Sequence, residues 1–117
     1  MPQTDECIFC KIIKGELPST KVFENDRVLA IRDIAPQAPV HIVVMPKQHI
    51  RNLIESVSAR NGIMENIVDA VADIAAAEGI DQTGFRLINN NGPHAGQTVE
   101  HLHFHLLGGG ELTVTLG

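Results

Sequence analysis

The sequence predicts an α+β domain with a mainly antiparallel five-stranded sheet, one long helix and one short helix. Strand-like runs fall at Lys21–Glu24, 27–32, 41–45, 84–89 and 99–107. Between the third and fourth runs, Leu53, Val57, Met64, Ile67, Val71 and Ile74 follow a helical stripe. The resulting order is helix, hairpin, strand, long helix, hairpin, which is that of an α+β chain.

Each element has local reasons. Thr4-Asp5-Glu6 offers a cap and two acids ahead of CIFCKIIK, and Gly15 follows as a stop, so a short first helix is expected. Its apolar side comes from Ile8 with Ile12 and Phe9 with Ile13, at i, i+4 spacing. Glu24-Asn25-Asp26 has turn chemistry and joins the first two strands as a hairpin. Pro36 and Pro39 remove two donors and fix φ, so 35–39 is an exposed connection. The β-branched run 41–45, closed by Pro46, reads as a central strand. Gly79 ends the long helix, and Gly62 weakens or breaks its start.

The bulk numbers narrow the function. A chain of 117 residues suits a single domain spanning 1–117, with 44% apolar and 20% charged residues. Four Phe and no Tyr or Trp leave the core to Ile, Val, Leu and Ala. A net charge of −5 provides no broad basic surface for a nucleic-acid backbone, but one phosphate can still be held by backbone N–H groups. No apolar run reaches the roughly 20 residues of a membrane span. The start MPQTDECIF lacks the plan of a signal peptide, and two cysteines are few for a secreted scaffold. A cytoplasmic, reducing setting is expected.

The segment HLHFHLL, 101–107, places three of the six histidines at every second position. In an extended strand His101, His103 and His105 share one face, and Leu102, Phe104 and Leu106 share the other. The apolar set is expected under a helix and the histidine face beside a cleft. A merely solvated face fits poorly, because Thr, Lys or Glu would serve there. Same-face neighbours lie about 6.7 Å apart and the outer two about 13 Å. With Zn–N bonds of about 2.0–2.1 Å, one ion takes two of them but hardly three. At least one histidine therefore has another role, and a neutral imidazole held through one nitrogen can attack phosphorus with the other. Upstream, NNNGPHAGQT (89–98) supplies glycines and polar side chains suited to an anion.

These residues carry a resemblance. His101-Leu102-His103-Phe104-His105-Leu106-Leu107 resembles the signature of the histidine triad (HIT) family. Gly96-Gln97-Thr98-Val99, Gly108-Gly109, the run from Asp33 through Ile34-Ala35-Pro36-Gln37-Ala38-Pro39-Val40 to His41, and Pro46-Lys47-Gln48-His49 resemble its Hint branch. The likeness runs from about residue 7 to 109.

The resemblance implies a HIT-like fold and a hydrolase that cleaves the P–N bond of purine nucleoside phosphoramidates. The middle histidine, His103, is the implied nucleophile, forming a nucleotidyl-histidine that water then releases as the monophosphate. His105, Thr98, Asn90 and the backbone of Gly96 and Gln97 are implied to hold the phosphate oxygens, with His41 supporting the triad. Asp33 matches the ribose-binding acid, and Ile8, Phe9, Ile12, Ile31 and Ile34 are implied to line the base pocket. For these five, ordinary core packing is the competing expectation. A homodimer joined through the long helix and the 84–89 strand is also implied. His105 at the third triad position favours hydrolysis over nucleotidyl transfer, and Gly108-Gly109 favours the Hint branch over the dinucleoside polyphosphate hydrolases. A nucleotide-binding regulatory module with little turnover and a zinc scaffold are the rival functions.

Cys7-x-x-Cys10 reads as a redox pair, as two packed thiols, or as half of a zinc site. The resemblance favours the last: some CxxC-bearing members bind zinc at positions matching Cys7, Cys10, His49 and His101, which would assign His101 to the metal. The chain also departs from the family. It lacks the usual Arg after the two glycines and the Trp-containing tail, and has 110–117 as GELTVTLG. Arg32 stands where related sequences often have His, close to the nucleoside in that family. His94 is expected to be a solvated loop residue.

Overall fold

The computed structural model describes residues 6–59 and 61–112. Thr4, Asp5 and the tail from 113 onward lie outside the described residues. In chain order the elements are α1 (Ile8–Ile13), β1 (Lys21–Glu24), β2 (Val28–Arg32), β3 (Val40–Pro46), α2 (Ser56–Ala59), α3 (Ile63–Glu78), β4 (Phe85–Ile88), a 3₁₀ turn (Pro93–Ala95) and β5 (Phe104–Gly108). The five strands form one antiparallel sheet in the order β1-β2-β3-β5-β4.

The hairpin between β1 and β2 closes as the turn chemistry predicts. The side-chain oxygen of Asn25 accepts from the backbone N–H groups of Arg27 and Val28, both at 2.8 Å. At the centre of the sheet, β3 alternates sharply between two environments. Ile42 and Val44 pack with Val28, Ala30, Phe104 and Leu106 against Ile67, Ala70, Val71 and Ile74 of α3. Val43 and Met45 pack on the opposite face with Leu29, Ile31 and Ile12, under α1. One sheet face therefore belongs to α3, and the other to α1 and the histidines.

Three expectations need correction. The helical stripe does not run unbroken from Leu53: Gly62 sits in the left-handed region at φ 78° and separates the four-residue α2 from α3. Consequently Val57 is exposed rather than buried. The last strand begins at Phe104, not at 99. Residues 99–103 lie outside the ladder, His101, Leu102 and His103 keep the alternation of side chains, and Leu102 N–H donates to the Ile50 carbonyl at 2.6 Å. Finally, α1 is capped by Cys7, whose sulfur accepts from the Cys10 N–H at 3.2 Å.

Candidate functional site

Four side chains from distant parts of the chain meet beside α1. Cys7 and Cys10 come from its first turn, His49 from the loop after β3, and His101 from the stretch before β5. The His101 Nδ1 lies 3.3 Å from Cys7 Sγ, 3.6 Å from Cys10 Sγ and 3.2 Å from His49 Nδ1, and His49 Nδ1 lies 3.2 Å from Cys10 Sγ. Around a tetrahedral zinc, with bonds of about 2.0–2.1 Å to nitrogen and 2.3 Å to sulfur, ligand atoms stand roughly 3.3–3.8 Å apart. The donor set and its spacing thus fit a metal cluster.

The tautomers fit as well. His101 Nε2 is 2.8 Å from the Pro46 carbonyl, which can only accept, so the proton sits on Nε2 and Nδ1 turns a lone pair toward the sulfurs. Burial pushes the pKa of His101 down to about 4, so the ring stays neutral. Burial, with Cys7 beside it, pushes the Cys10 thiol up to about 12. Two thiolates at this place need a cation, and a divalent ion would reverse that preference outright.

His103 is buried, and its Nδ1 donates to the His101 carbonyl at 2.7 Å. The proton is therefore on Nδ1, and Nε2 keeps its lone pair. Burial also lowers the pKa of this ring, keeping it neutral. Phe9 meets it edge-on, with ring centroids 5.0 Å apart.

His105 takes the opposite tautomer. The Gln37 backbone N–H donates to His41 Nδ1 at 2.9 Å, so the proton of neutral His41 is on Nε2. That nitrogen lies 2.9 Å from His105 Nδ1, which must accept, leaving His105 with its proton on Nε2. Burial, then its histidine neighbours, lower the pKa of His105, against the opposing pull of Asp33. Asp33 Oδ2 stands 3.4 Å from His41 Nε2 and 3.9 Å from His105 Nδ1, while its Oδ1 accepts from Ala35 N–H at 2.8 Å. Asp33, His41 and His105 also lie close enough to grip a cation. The Gln37 amide argues against it, because it keeps the proton on the nitrogen of His41 that would have to ligate.

His41 and His105 open onto a cleft of about 600 Å³ that Gln37, Ile88 and Asn90 also line. Thr98 lines a separate hollow with Cys7, Ile8 and Val99. The expectation that the Gly96 and Gln97 amides face a phosphate is not met. Gly96 N–H donates to the Pro93 carbonyl and Gln97 N–H to that of Gly92, closing the loop on itself. The Gln97 side chain is structural too, accepting from Gly92 N–H and donating to the carbonyls of Arg51 and Val99. Of the five apolar base-pocket candidates, Ile12 and Ile31 are buried in the core and Phe9 is half-buried against it. Ile8 and Ile34 are exposed. Arg32 points to the α3 face, where it donates to Glu78 at 2.8 Å, away from the histidines. His94 is exposed, as expected. Asn89, which the sequence reading placed only within the 84–89 strand and the anion-suited 89–98 stretch, donates from Nδ2 to the His103 carbonyl at 3.0 Å.

A family model described as HIT domain matches residues 14–112. A purine nucleoside phosphoramidase of Escherichia coli K12 is 44% identical over 105 residues, covering 90% of this chain and 88% of that protein. A 14 kDa zinc-binding protein of Brassica juncea is 42% identical over 109 residues, covering 92% of this chain and 96% of its own length. Among solved structures, a HIT family hydrolase from Clostridium thermocellum superposes with a TM-score of 0.91 at 49% identity, covering 96% of this chain and 97% of that one. No helix among the described residues is long and apolar enough to cross a membrane.

Proposed function

The chain belongs to the HIT family, and from that membership we propose that it hydrolyses the P–N bond of purine nucleoside phosphoramidates, with His103 as the nucleophile. The observation that carries this reading is the tautomer pair. His103 offers an Nε2 lone pair while its neighbour His105 offers an Nε2–H, so one attacks phosphorus and the other donates to a phosphoryl oxygen.

In the first step His103 Nε2 bonds to the α-phosphorus and the bond to the amine nitrogen breaks. In the second, water attacks phosphorus and expels His103 Nε2, releasing the nucleoside monophosphate. The amine takes a proton from solvent as it leaves in the first step and the water of the second step returns one, so a single water is consumed in all, its hydroxyl ending on phosphorus. Because His105 is neutral and its Nδ1 is occupied by His41, it serves as a hydrogen-bond donor to developing charge rather than as the source of the amine's proton. Asn90, beside His105 in the cleft, is the further phosphate contact proposed there, Thr98 is proposed as another from the hollow it shares with Ile8, and Asp33 is the ribose acceptor. Ile8, Phe9 and Ile34 offer apolar surface to the base, with Ile12 and Ile31 behind them.

Cys7, Cys10, His49 and His101 would hold a structural zinc, supported by their spacing and by the zinc-binding relative. Zinc there would tie α1 to the loop after β3 and to the segment before β5. A cytoplasmic homodimer completes the reading. The test is incubation with an adenosine phosphoramidate, quenching in acid-free denaturant, and a search for AMP on His103. Turnover that survives His103→Ala overturns the assignment. AMP binding with no turnover on any phosphoramidate favours a regulatory module instead.

A further inference from the structure

We infer that Asn89 is a positioning residue for His103, clamping its peptide so that the ring keeps the attacking tautomer; this rests on the hydrolase reading above. The last pair of the β4–β5 ladder joins Ile88 to His105. Beyond it β4 ends, while β5 reaches one residue further, to Phe104 paired with Val44 of β3, so the His103 carbonyl has no ladder donor from β4. A buried carbonyl in that position needs a partner. Asn89, the first residue past β4, supplies one with its side chain, standing in for the backbone N–H that the departing strand no longer provides.

The same short stretch fixes the nucleophile. His103 Nδ1 reaches back two residues to the His101 carbonyl, so the ring is set by the backbone between 101 and 103. Leu102 N–H, bonded to Ile50, pins the middle of that stretch, and Asn89 pins its far end. Without Asn89 the His103 carbonyl end is held only through the pairing of Phe104 with Val44, and the ring loses the alignment that keeps its proton on Nδ1.

The second amide atom points the same way. Asn89 Oδ1 is buried and has no partner among the described residues. Flipping the amide would not help, because Oδ1 would then face the His103 carbonyl, acceptor against acceptor. An unpaired buried acceptor costs stability, so a side chain serving packing alone would be apolar here. A leucine of similar shape would remove that cost and also remove the clamp.

The experiment compares the wild-type protein with Asn89→Leu and Asn89→Asp, the second keeping size and polarity but losing the donor. Turnover of an adenosine phosphoramidate, AMP affinity, zinc content and thermal midpoint are measured, with nitrogen-15 NMR reading the His103 tautomer. In both variants kcat is expected to fall about 10–100-fold, while KM and AMP affinity stay within about threefold. The His103 ring is expected to pass from one tautomer to a mixture, at unchanged zinc content. Either folded variant with wild-type kcat overturns the clamp, as does a lowered kcat with the tautomer intact. A wild-type protein that turns over no phosphoramidate retires the functional reading instead, and the tautomer measurement then decides on Asn89 alone.

Discussion

The carbonyl of His101 accepts the Nδ1–H of His103 at 2.7 Å, while the ring of His101 faces Cys7, Cys10 and His49. One residue thus joins the candidate metal cluster to the proposed nucleophile through its own backbone. If that is how His103 is prepared, His103→Ala removes the reacting atom and leaves its surroundings in place. Turnover should drop by at least about 10³-fold with AMP affinity changed only a few-fold. Steady-state kinetics alongside calorimetric AMP titration checks both.

Burial of His103, opposed by that hydrogen bond, sets the pH dependence. Burial disfavours the charged form of His103, so its pKa lies below the ordinary histidine value of about 6.5. The neutral ring is the attacking form, so activity is lost only when pH falls through that lowered value. A zinc ion at His101 would repel a proton on His103 and push in the same direction. The acid limb of kcat/KM, followed from about pH 5 to 8, is therefore expected below about 6.5. A limb centred near neutrality would mean that another group, or a differently placed His103, limits the reaction.

Metal content gives an independent check. Protein purified without a polyhistidine tag should carry close to one zinc per chain, and Cys7→Ser should lose most of it. The cluster joins three segments far apart in sequence, so chelation should cost at least about 2 kcal/mol, or roughly 5–10 °C in Tm. Full zinc retained in Cys7→Ser would assign these thiols to packing.

Much of this arrangement is legible in the residues, because alternation along a strand is a direct record of facing. Leu102, Phe104 and Leu106 do lie on the α3 side, opposite His101, His103 and His105. Alternation does not report the ladder, however. The two-residue period at 101–103 runs ahead of the β5 ladder, so the strand reads five residues too long at its start. Gly62 signals a weak point, but not that it adopts the left-handed conformation at the start of α3 and leaves the preceding turn as a separate helix. Arg32 reads as a departure that alters nucleoside contact, and its place on β2 sends it to the α3 face, where Glu78 receives it. Asn89 falls in the 84–89 run and the polar 89–98 stretch, but neither signal points to a clamp, because its role arises only where the end of β4 leaves a carbonyl unpaired.

Gln97 separates a structural loop residue from a phosphate ligand. Its side chain ties Gly92, Arg51 and Val99 together, so Gln97→Ala is expected to cost about 1–3 kcal/mol. Loosening the 90–98 loop should raise KM a few-fold with a smaller change in kcat. A large fall in kcat with unchanged thermal stability would return Gln97 to the phosphate.

The outer edge of the sheet bears on the proposed dimer. β4 is an edge strand, and Leu87 pairs in register with Leu106, so Phe85 and Leu87 lie on the face that carries α3. Both are exposed, as are Met64 and Val68, one turn apart on α3. An edge with apolar side chains beside an apolar helix stripe is a surface that a second copy would cover. Leu87→Glu puts a charge in that surface without touching the histidines. Sedimentation should then show the wild-type chain at twice the monomer mass and the variant as a folded monomer. A wild-type chain that stays monomeric at high micromolar concentration removes the dimer from the proposal and leaves the chemistry at His103 unaffected.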